Sequence, residues 1–401
     1  MMKRLALIFV GHYLPGFRMG GPLRSIVNLV DHLHHEFDFR IVTTDRDLGD
    51  MSPYNGIRTD RWEPVGKAQV RYVPPGEQRL SNIARIMRST PHDVLYLNSF
   101  FSPRFTVLPL VARRLKLASQ GPMVIAPRGE FSEGALALKG AKKRAYLAVG
   151  KMAGLFSGAV WQASSEREAA NIRAALGDLA RDIHIAVNLA SPLASQPQAH
   201  QLRSPGAPLR ILFLGRISPM KNLDYALRVL NMVKAPVEFS IFGPPEDAAY
   251  KAECEQLATS LPKHIEVHWR GAIEPAEVPR AMADHDLFFL PTRGENFGHV
   301  ISEALGAGTP VLLADTTPWR GMAQAGIGHD LPLSDPSSFA AAIEAAAQQS
   351  PGDARAHRER AFAYARERQL CSDDVEANRQ LFYAALNSRR SAPTPQKEGN
   401  S

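Results

Sequence analysis

The sequence predicts an α/β chain of two doubly wound domains, and three observations carry that expectation. Residues 287–313, LFFLPTRGENFGHVISEALGAGTPVLL, run as a short apolar strand, a polar glycine loop, a helically spaced stretch and a second apolar strand. The same order of strand, glycine loop and helix recurs at 5–33 and at 210–230. Between those two stretches, residues 189–208 are rich in Ser, Pro, Gln and Ala and lack periodicity, which marks a linker. The expected divisions are a first domain over 1–190, a linker over 191–208 and a second domain over 209–370. A tail over 388–401 has almost no apolar content and is expected to be disordered.

A chain of 401 residues supports two domains of ordinary size. Hydrophobic residues at 45% and charged residues at 22% fit a soluble globular protein. Cys254 and Cys371 stand in no metal or redox spacing, which suits a reducing compartment. The apolar run in the opening MMKRLALIFVG is too short for a signal-peptide core and reads as a first strand. No run reaches the roughly 18 apolar residues of a membrane span. The expected location is the cytoplasm, with peripheral attachment at the inner face of the membrane as an extension. Residues 1–200 hold 26 Lys and Arg against 16 Asp and Glu, whereas 201–401 hold 21 against 24. A basic half suits anionic ligands or an anionic membrane surface. No zinc spacing or basic-aromatic signature points to nucleic acid.

In chain order, Leu5–Val10 is a strand, Gly11–Gly21 a glycine loop, and Pro22 suits a first helical turn. Leu23, Ile26, Val27, Val30 and Leu33 give that helix one apolar stripe. Gly20 and Gly21 stand at its entrance, without a G-x-G-x-x-G fingerprint. Phe39–Thr43 is a second strand, and 45–68 reads as a polar loop. Asp93–Asn98 and Met123–Ala126 read as buried strands ending at Asn98 and at Arg128-Gly129-Glu130. Ligands in open α/β sheets collect at such ends, so Asn98, Arg128 and Glu130 are candidates. For Arg128 and Glu130, an ion pair that orders a loop is the equal alternative. Residues 134–161 set Lys139, Lys142, Lys143, Arg144 and Lys151 among Leu, Val, Phe and Met. This segment reads either as a surface for anionic lipid or as a core helix with a solvated basic face. Trp161–Ala163 and His184–Val187 complete the first sheet.

In the second half, Arg210–Leu214 is a strand, Gly215–Asn222 a loop, and Leu223 opens a helix. Arg216 and Lys221 on that loop are placed to neutralise a diphosphate. Val237–Phe242 ends at Gly243, and Ile265–Trp269 ends just before Ile273. In the 287–313 stretch, Glu295 and Glu303 stand eight residues apart. Glu295 stands before the helix and Glu303 inside it, and at about 1.5 Å of rise per residue the spacing is roughly 12 Å of axis. The free N–H groups of a helix start attract an anion, and Gly294 and Gly298 let the backbone come close to it. Carboxylates only accept hydrogen bonds, so two of them flanking a diphosphate suit a sugar hydroxyl on each side.

The loop pattern Gly-Arg-x-x-x-x-Lys-Asn at 215–222 and the Glu-x7-Glu pattern at 295–303 resemble retaining glycosyltransferases of family 4, the group 1 glycosyltransferases. Asp315–Trp319 and Gly326-Ile327-Gly328 are similar to later landmarks of the same family. The resemblance implies a GT-B fold, two Rossmann-like domains facing a central cleft. Its last helix, about 373–387 here, crosses back onto the first domain. Arg216 and Lys221 would hold the donor phosphates, Glu295 the donor sugar and Glu303 the nucleotide ribose. The backbone at Asn296, Phe297 and Gly298 would meet sugar and diphosphate. The turns at Gly243 and Ile273 would hold base and ribose, and Gly20 and Gly21 would face the phosphates. Asn98, Arg128 and Glu130 would lie on the acceptor side, where many relatives carry a histidine near position 128.

The activity implied is hexosyl transfer, with retention, from a nucleotide diphosphate sugar to an acceptor hydroxyl. The acceptor would be a saccharide or a lipid-linked one, in exopolysaccharide, capsule or lipopolysaccharide synthesis. No cofactor or metal is implied, and Asp284-His285-Asp286 reads as the turn before a strand. Two other functions share this chemistry: a non-hydrolysing nucleotide-sugar epimerase and a non-catalytic nucleotide-sugar-binding partner. Neither would release nucleoside diphosphate in response to an acceptor.

Overall fold

The computed structural model describes residues 3–132, 135–136, 140–193, 200–204, 206–370 and 372–388. The tail from 389, Lys139 of the basic segment and linker residues 194–199 and 205 lie outside the described residues. The chain forms two compact units, Met1–Leu189 with Ser372–Ser401, and Ala190–Cys371.

In the first unit the strands are β1 Arg4–Phe9, β2 Phe37–Thr44, β3 Glu63–Val65, β4 Ala68–Val73, β5 Val94–Asn98, β6 Met123–Ala126, β7 Ala159–Ala163 and β8 Ile183–Ile185. They form one sheet in the order β3-β4-β2-β1-β5-β6-β7-β8. Only the β3–β4 pair is antiparallel. The central strands read as unbroken apolar runs because helices cover both faces of a parallel sheet. Leu95, Tyr96 and Leu97 of β5 are all fully buried. The polar stretch 45–68 is not loop throughout. Gly66, at φ 58°, turns β3 back on β4, whose Ala68, Val70 and Tyr72 are buried on one face. That hairpin rests on one short period-two pattern, hidden in a segment dominated by turn residues.

The helix Ser372–Ser388 belongs to this unit although 182 residues of the other unit precede it. Its Leu381, Phe382 and Ala385 are fully buried. The Phe382 ring stacks on Tyr96 with centroids 5.6 Å apart and lies 5.0 Å from Phe37. Burying an aromatic side chain of this size contributes about 1.5–3 kcal/mol.

The second unit holds β9 Leu209–Leu214, β10 Val237–Phe242, β11 Ile265–Gly271, β12 Leu287–Leu290, β13 Val311–Ala314 and β14 Gly328–Leu331. All neighbours are parallel, in the order β11-β10-β9-β12-β13-β14. This is the 3-2-1-4-5-6 order of a doubly wound sheet, and its strand order reverses between β9 and β12. Phe213, Phe239, Phe288 and Phe289 fill the core. Gly328 opens the edge strand because no Cβ fits there; one would stand 1.8 Å from the Val311 carbonyl oxygen.

The described part of the linker stretch packs on this unit. His200 Nδ1 donates to the Ala283 carbonyl at 2.5 Å, and Arg203 Nη2 donates to Ala347 at 2.6 Å. Among the described residues, no helix is long and apolar enough to cross a membrane.

Candidate active site

The two loops that leave β9 and β12 start where the second sheet's strand order reverses, so the fold brings Gly215–Asn222 and Pro291–Gly298 together. Asn222 fastens them. It stands in the left-handed region at φ 60°, at the entrance of helix Leu223–Leu230. Its Nδ2 donates to the Pro291 carbonyl at 2.9 Å, and its Oδ1 accepts from Arg293 Nε at 3.0 Å. The Met220 carbonyl accepts from Arg293 N at 2.8 Å and from Thr292 Oγ1 at 2.9 Å. Thr316 Oγ1 closes the loop from behind with a 2.6 Å bond to the Thr292 carbonyl. Asn222 closes the 215–222 pattern and Arg293 belongs to the second loop, but nothing in the sequence marks them, or Thr292, as fasteners; the one signal is an Asn at a helix entrance, a residue that tolerates left-handed backbone.

On this frame Lys221 Nζ and Glu295 Oε1 form a hydrogen-bonded ion pair. The pair is mostly shielded, with side chains 17% and 11% exposed. Lys221 is therefore held at the switch point by an acid 74 positions away in the chain. Arg216 takes a different partner. Its Nη1 donates to Glu246 Oε1 at 2.7 Å in an exposed pair, which contributes little to stability.

Helix His299–Gly306 starts at Gly298, whose φ of 80° and ψ of 60° suit glycine. A Cβ there would stand 2.7 Å from Ile301 Cδ1. No side chain caps this helix start, and no acid lies in its first turn. As the sequence suggests, Glu295 lies in the loop before Gly298 and Glu303 lies inside the helix. Glu303 is half-buried. Asn296 is half-buried in the loop. Phe297 is buried, and its carbonyl already accepts from Trp319 Nε1 at 2.6 Å. That bond fixes the loop's course from the Trp319 landmark.

Gly243 follows β10 at φ 144°, and a Cβ there would lie 1.9 Å from the Gly215 carbonyl oxygen. The turn after β10 is thus pressed against the start of the Arg216–Lys221 loop. Gly243 N also donates to the Gly271 carbonyl at 2.7 Å. Ile273, beyond β11, is half-buried against the core. Asp286 is committed elsewhere: its carboxylate accepts from Arg210 at 2.7 Å and 3.0 Å. Among the described residues, no group of three His, Cys, Asp or Glu is placed to hold a metal.

In the first unit the equivalent reversal falls between β1 and β5. Gly20, at φ 67°, stands before helix Gly21–Leu33 at the end of the β1 loop. Asn98, Arg128 and Glu130 gather at the ends of β5 and β6. Arg128 donates from Nε to Asn98 Oδ1 at 2.7 Å, from Nη2 to Tyr96 Oη at 2.6 Å and from Nη1 to Asn188 Oδ1. Asn98 Nδ2 donates to the Pro22 carbonyl at 3.1 Å. Glu130 accepts from Ser99 Oγ at 2.8 Å and from the N–H groups of Phe100 and Phe101 at 2.5 and 3.0 Å. Arg128 and Glu130 thus order loops through separate partners rather than through each other. Burial raises the Glu130 carboxyl above its ordinary range, and the hydrogen bonds it accepts offset this in part.

The basic segment forms helix Gly140–Met152. Lys142, Arg144 and Lys151 are exposed. Lys143 is not, since its Nζ donates to the Ala135 carbonyl at 2.6 Å and stands 4.8 Å over the Phe101 ring. Val149 is 62% exposed and Met152 89%. The end of helix Leu108–Arg114 meets this helix through Arg114 Nε, which donates to the Ala153 carbonyl at 2.5 Å, and it brings exposed Leu115 and Leu117.

Residues 195–368 match the family described as glycosyl transferases group 1. A phosphatidyl-myo-inositol mannosyltransferase of Mycobacterium leprae is 33% identical over 177 residues, 43% of this chain and 45% of that relative. A D-inositol 3-phosphate glycosyltransferase of Geodermatophilus obscurus is 30% identical over 158 residues, 34% of this chain and 32% of the relative. The chain therefore matches less than half the length of these relatives. Among solved structures, Anabaena HepE in complex with UDP and glucose aligns with a TM-score of 0.65 at 17% identity, over 95% of this chain and 99% of that one. Sucrose-phosphate synthase from Thermosynechococcus elongatus aligns with a TM-score of 0.66 at 17% identity, over 96% and 100%. These likenesses establish the fold, which is GT-B.

Proposed function

Residues 195–368 belong to the group 1 glycosyl transferases, and from that premise we propose that the whole chain is a retaining hexosyltransferase using a nucleotide diphosphate sugar. The observation that carries this reading is the Lys221–Glu295 pair, held at the switch point of the second sheet beside an uncapped helix start. A cation and an acid that satisfy each other before a ligand arrives are poised to part over a phosphorylated sugar. Lys221 then turns to the distal phosphate, joined by Arg216, whose exposed bond to Glu246 is cheap to break. Glu295 is released to accept from the hydroxyls of the hexose. Glu303 accepts from the ribose, and the turns at Gly243 and Ile273 hold the base through backbone groups.

The bond from the anomeric carbon to the diphosphate breaks with its electron pair passing to the phosphate oxygen. Lys221, Arg216 and the N–H groups at Gly298–Val300 meet that charge as it forms. The acceptor oxygen bonds to the anomeric carbon on the same face, and its proton passes to the departing diphosphate. Glu295 orients the sugar and is not the nucleophile. The acceptor is a saccharide or a lipid-linked polyol, and the product is a cell-surface glycan.

A lipid-borne acceptor accords with the exposed Leu115, Leu117, Val149 and Met152, set among Lys116, Lys142, Arg144 and Lys151. Exposed apolar side chains on segments that also carry exposed cations suit the face of an anionic bilayer, so the protein works at the inner membrane surface.

The test is release of nucleoside diphosphate from UDP-glucose, UDP-galactose and GDP-mannose. Each donor is paired with phosphatidylinositol vesicles, free myo-inositol and short oligosaccharides. Release that depends on an acceptor is expected for at least one pair. Binding or epimerisation of a donor with no such release would end the transferase reading.

A further inference from the structure

At the first unit's switch point, every polar side chain the sequence assigned to ligand binding is turned to an internal task. Asn98, Arg128 and Glu130 are bonded to the Pro22 carbonyl, Asn188, Tyr96, Ser99 and backbone N–H groups. His12 differs. It follows β1, three residues beyond Phe9, which pairs in register with Leu97 of β5. It thus follows the carboxyl end of a strand at the switch point, its ring lies beside the loop that leaves β2 at Arg46, and it is half-buried.

Its Nδ1 is 3.2 Å from the Arg46 carbonyl oxygen. A carbonyl can only accept, so Nδ1 carries the hydrogen, and in the neutral ring Nε2 keeps a lone pair. Nε2 has no hydrogen-bond partner among the described residues. The backbone on each side of the ring is pinned. The Gly11 carbonyl accepts from Thr44 N and Thr43 Oγ1, both at 3.3 Å, and Leu14's accepts from Tyr72 Oη at 2.6 Å. Asp47 Oδ2 accepts from Phe17 N at 2.9 Å and Arg18 N at 3.2 Å. The ring is thus oriented in advance, with one acceptor atom left over at a strand end where ligands collect.

We infer that His12 Nε2 accepts a hydrogen bond from a hydroxyl of the acceptor polyol, making His12 a specificity-determining residue of the transfer. This rests on the transferase reading above. The imidazole is matched to a hydroxyl donor and not to an anion, because the free nitrogen offers a lone pair rather than a hydrogen. Arg128 cannot supply that contact, since guanidinium only donates.

The full-length protein, H12A and H12Q are compared using the donor and acceptor pair that gives release above. H12A is expected to lower kcat/KM for the acceptor about tenfold, the effect of one lost hydrogen bond. Donor KM and nucleoside diphosphate affinity should stay within about twofold. H12Q, whose amide oxygen can reach the Nε2 position, should recover part of the loss. Nitrogen-15 correlation spectra of the histidine rings should show the Nδ1–H form at position 12. The inference is overturned by an Nε2–H form, by acceptor kinetics unchanged in H12A, or by equal losses for donor and acceptor, which would mean a bracing role. If wild type itself shows no release with any pair, the transferase reading has failed instead.

Discussion

Replacing Glu295 by Gln should tighten nucleoside diphosphate binding while it cripples transfer. In the free protein Lys221 is bonded to Glu295. A diphosphate must displace that carboxylate and also sit near its charge. The pair is neither at the surface nor sealed, at 17% and 11% exposure. Exposed pairs contribute up to about 1 kcal/mol, and breaking fully buried ones costs about 3–5. An intermediate value of about 1–2 kcal/mol is appropriate here. Gln keeps the volume and an acceptor oxygen but releases the cation, so UDP or GDP should bind roughly 5–30 times more tightly by calorimetry. Transfer should fall by about a hundredfold or more, since the group that orients the hexose has lost its charge. Melting should show a loss of about 1–2 kcal/mol without ligand. Unchanged or weaker diphosphate binding in Glu295→Gln would refute the claim that Glu295 holds Lys221 in reserve.

Lys221→Ala should weaken diphosphate binding and lower turnover together, and equal wild-type values for both would remove Lys221 from the site. Gly243→Ala forces a methyl to within 1.9 Å of the Gly215 carbonyl oxygen at φ 144°, so the two loops must part. A loss of about 3 kcal/mol and weaker donor affinity are expected, and an unshifted melt would contradict the close approach. Because burial raises the Glu130 carboxyl, the unfolded chain gives up that proton at a lower pH than the folded one. The native state's relative advantage is therefore complete below the ordinary carboxyl value of 4.5 and is lost as pH rises through the raised folded value. Glu130→Gln removes that loss, so its melting temperature relative to wild type should be more favourable at pH 7 than at pH 4; the opposite trend would count against a raised carboxyl. Reversing Lys142, Arg144 and Lys151 to Glu should abolish flotation with anionic vesicles, and undiminished flotation would make this helix ordinary surface.

The elements that sequence conveyed best were those with continuous apolar runs. Leu209–Leu214 and Leu287–Leu290 announce themselves because buried parallel strands tolerate little else. Their pairing as neighbours, β9 beside β12, is seen only in the folded sheet. What stayed hidden depends on contacts between distant residues. The Lys221–Glu295 bond joins positions 74 apart, and nothing local distinguishes it from two separate ligands. Arg128 and Glu130 looked like partners because they are neighbours in sequence, yet their partners come from β5, from the loop after it and from Asn188. His12 was invisible for the same reason, since its ring is oriented by a carbonyl 34 residues away.

The helix Ser372–Ser388 has a consequence for how the protein is made. Phe382 fills the space among Phe37, Phe39 and Tyr96, yet it leaves the ribosome after every residue of the other unit. While Ala190–Cys371 is being synthesised, the amino-terminal sheet waits with an aromatic socket open to water. The body begun first is closed only after the other, and a nascent chain halted at Cys371 carries every strand of the second sheet but lacks the helix that covers the first. Chaperone capture in translation should therefore fall on the older half of the molecule.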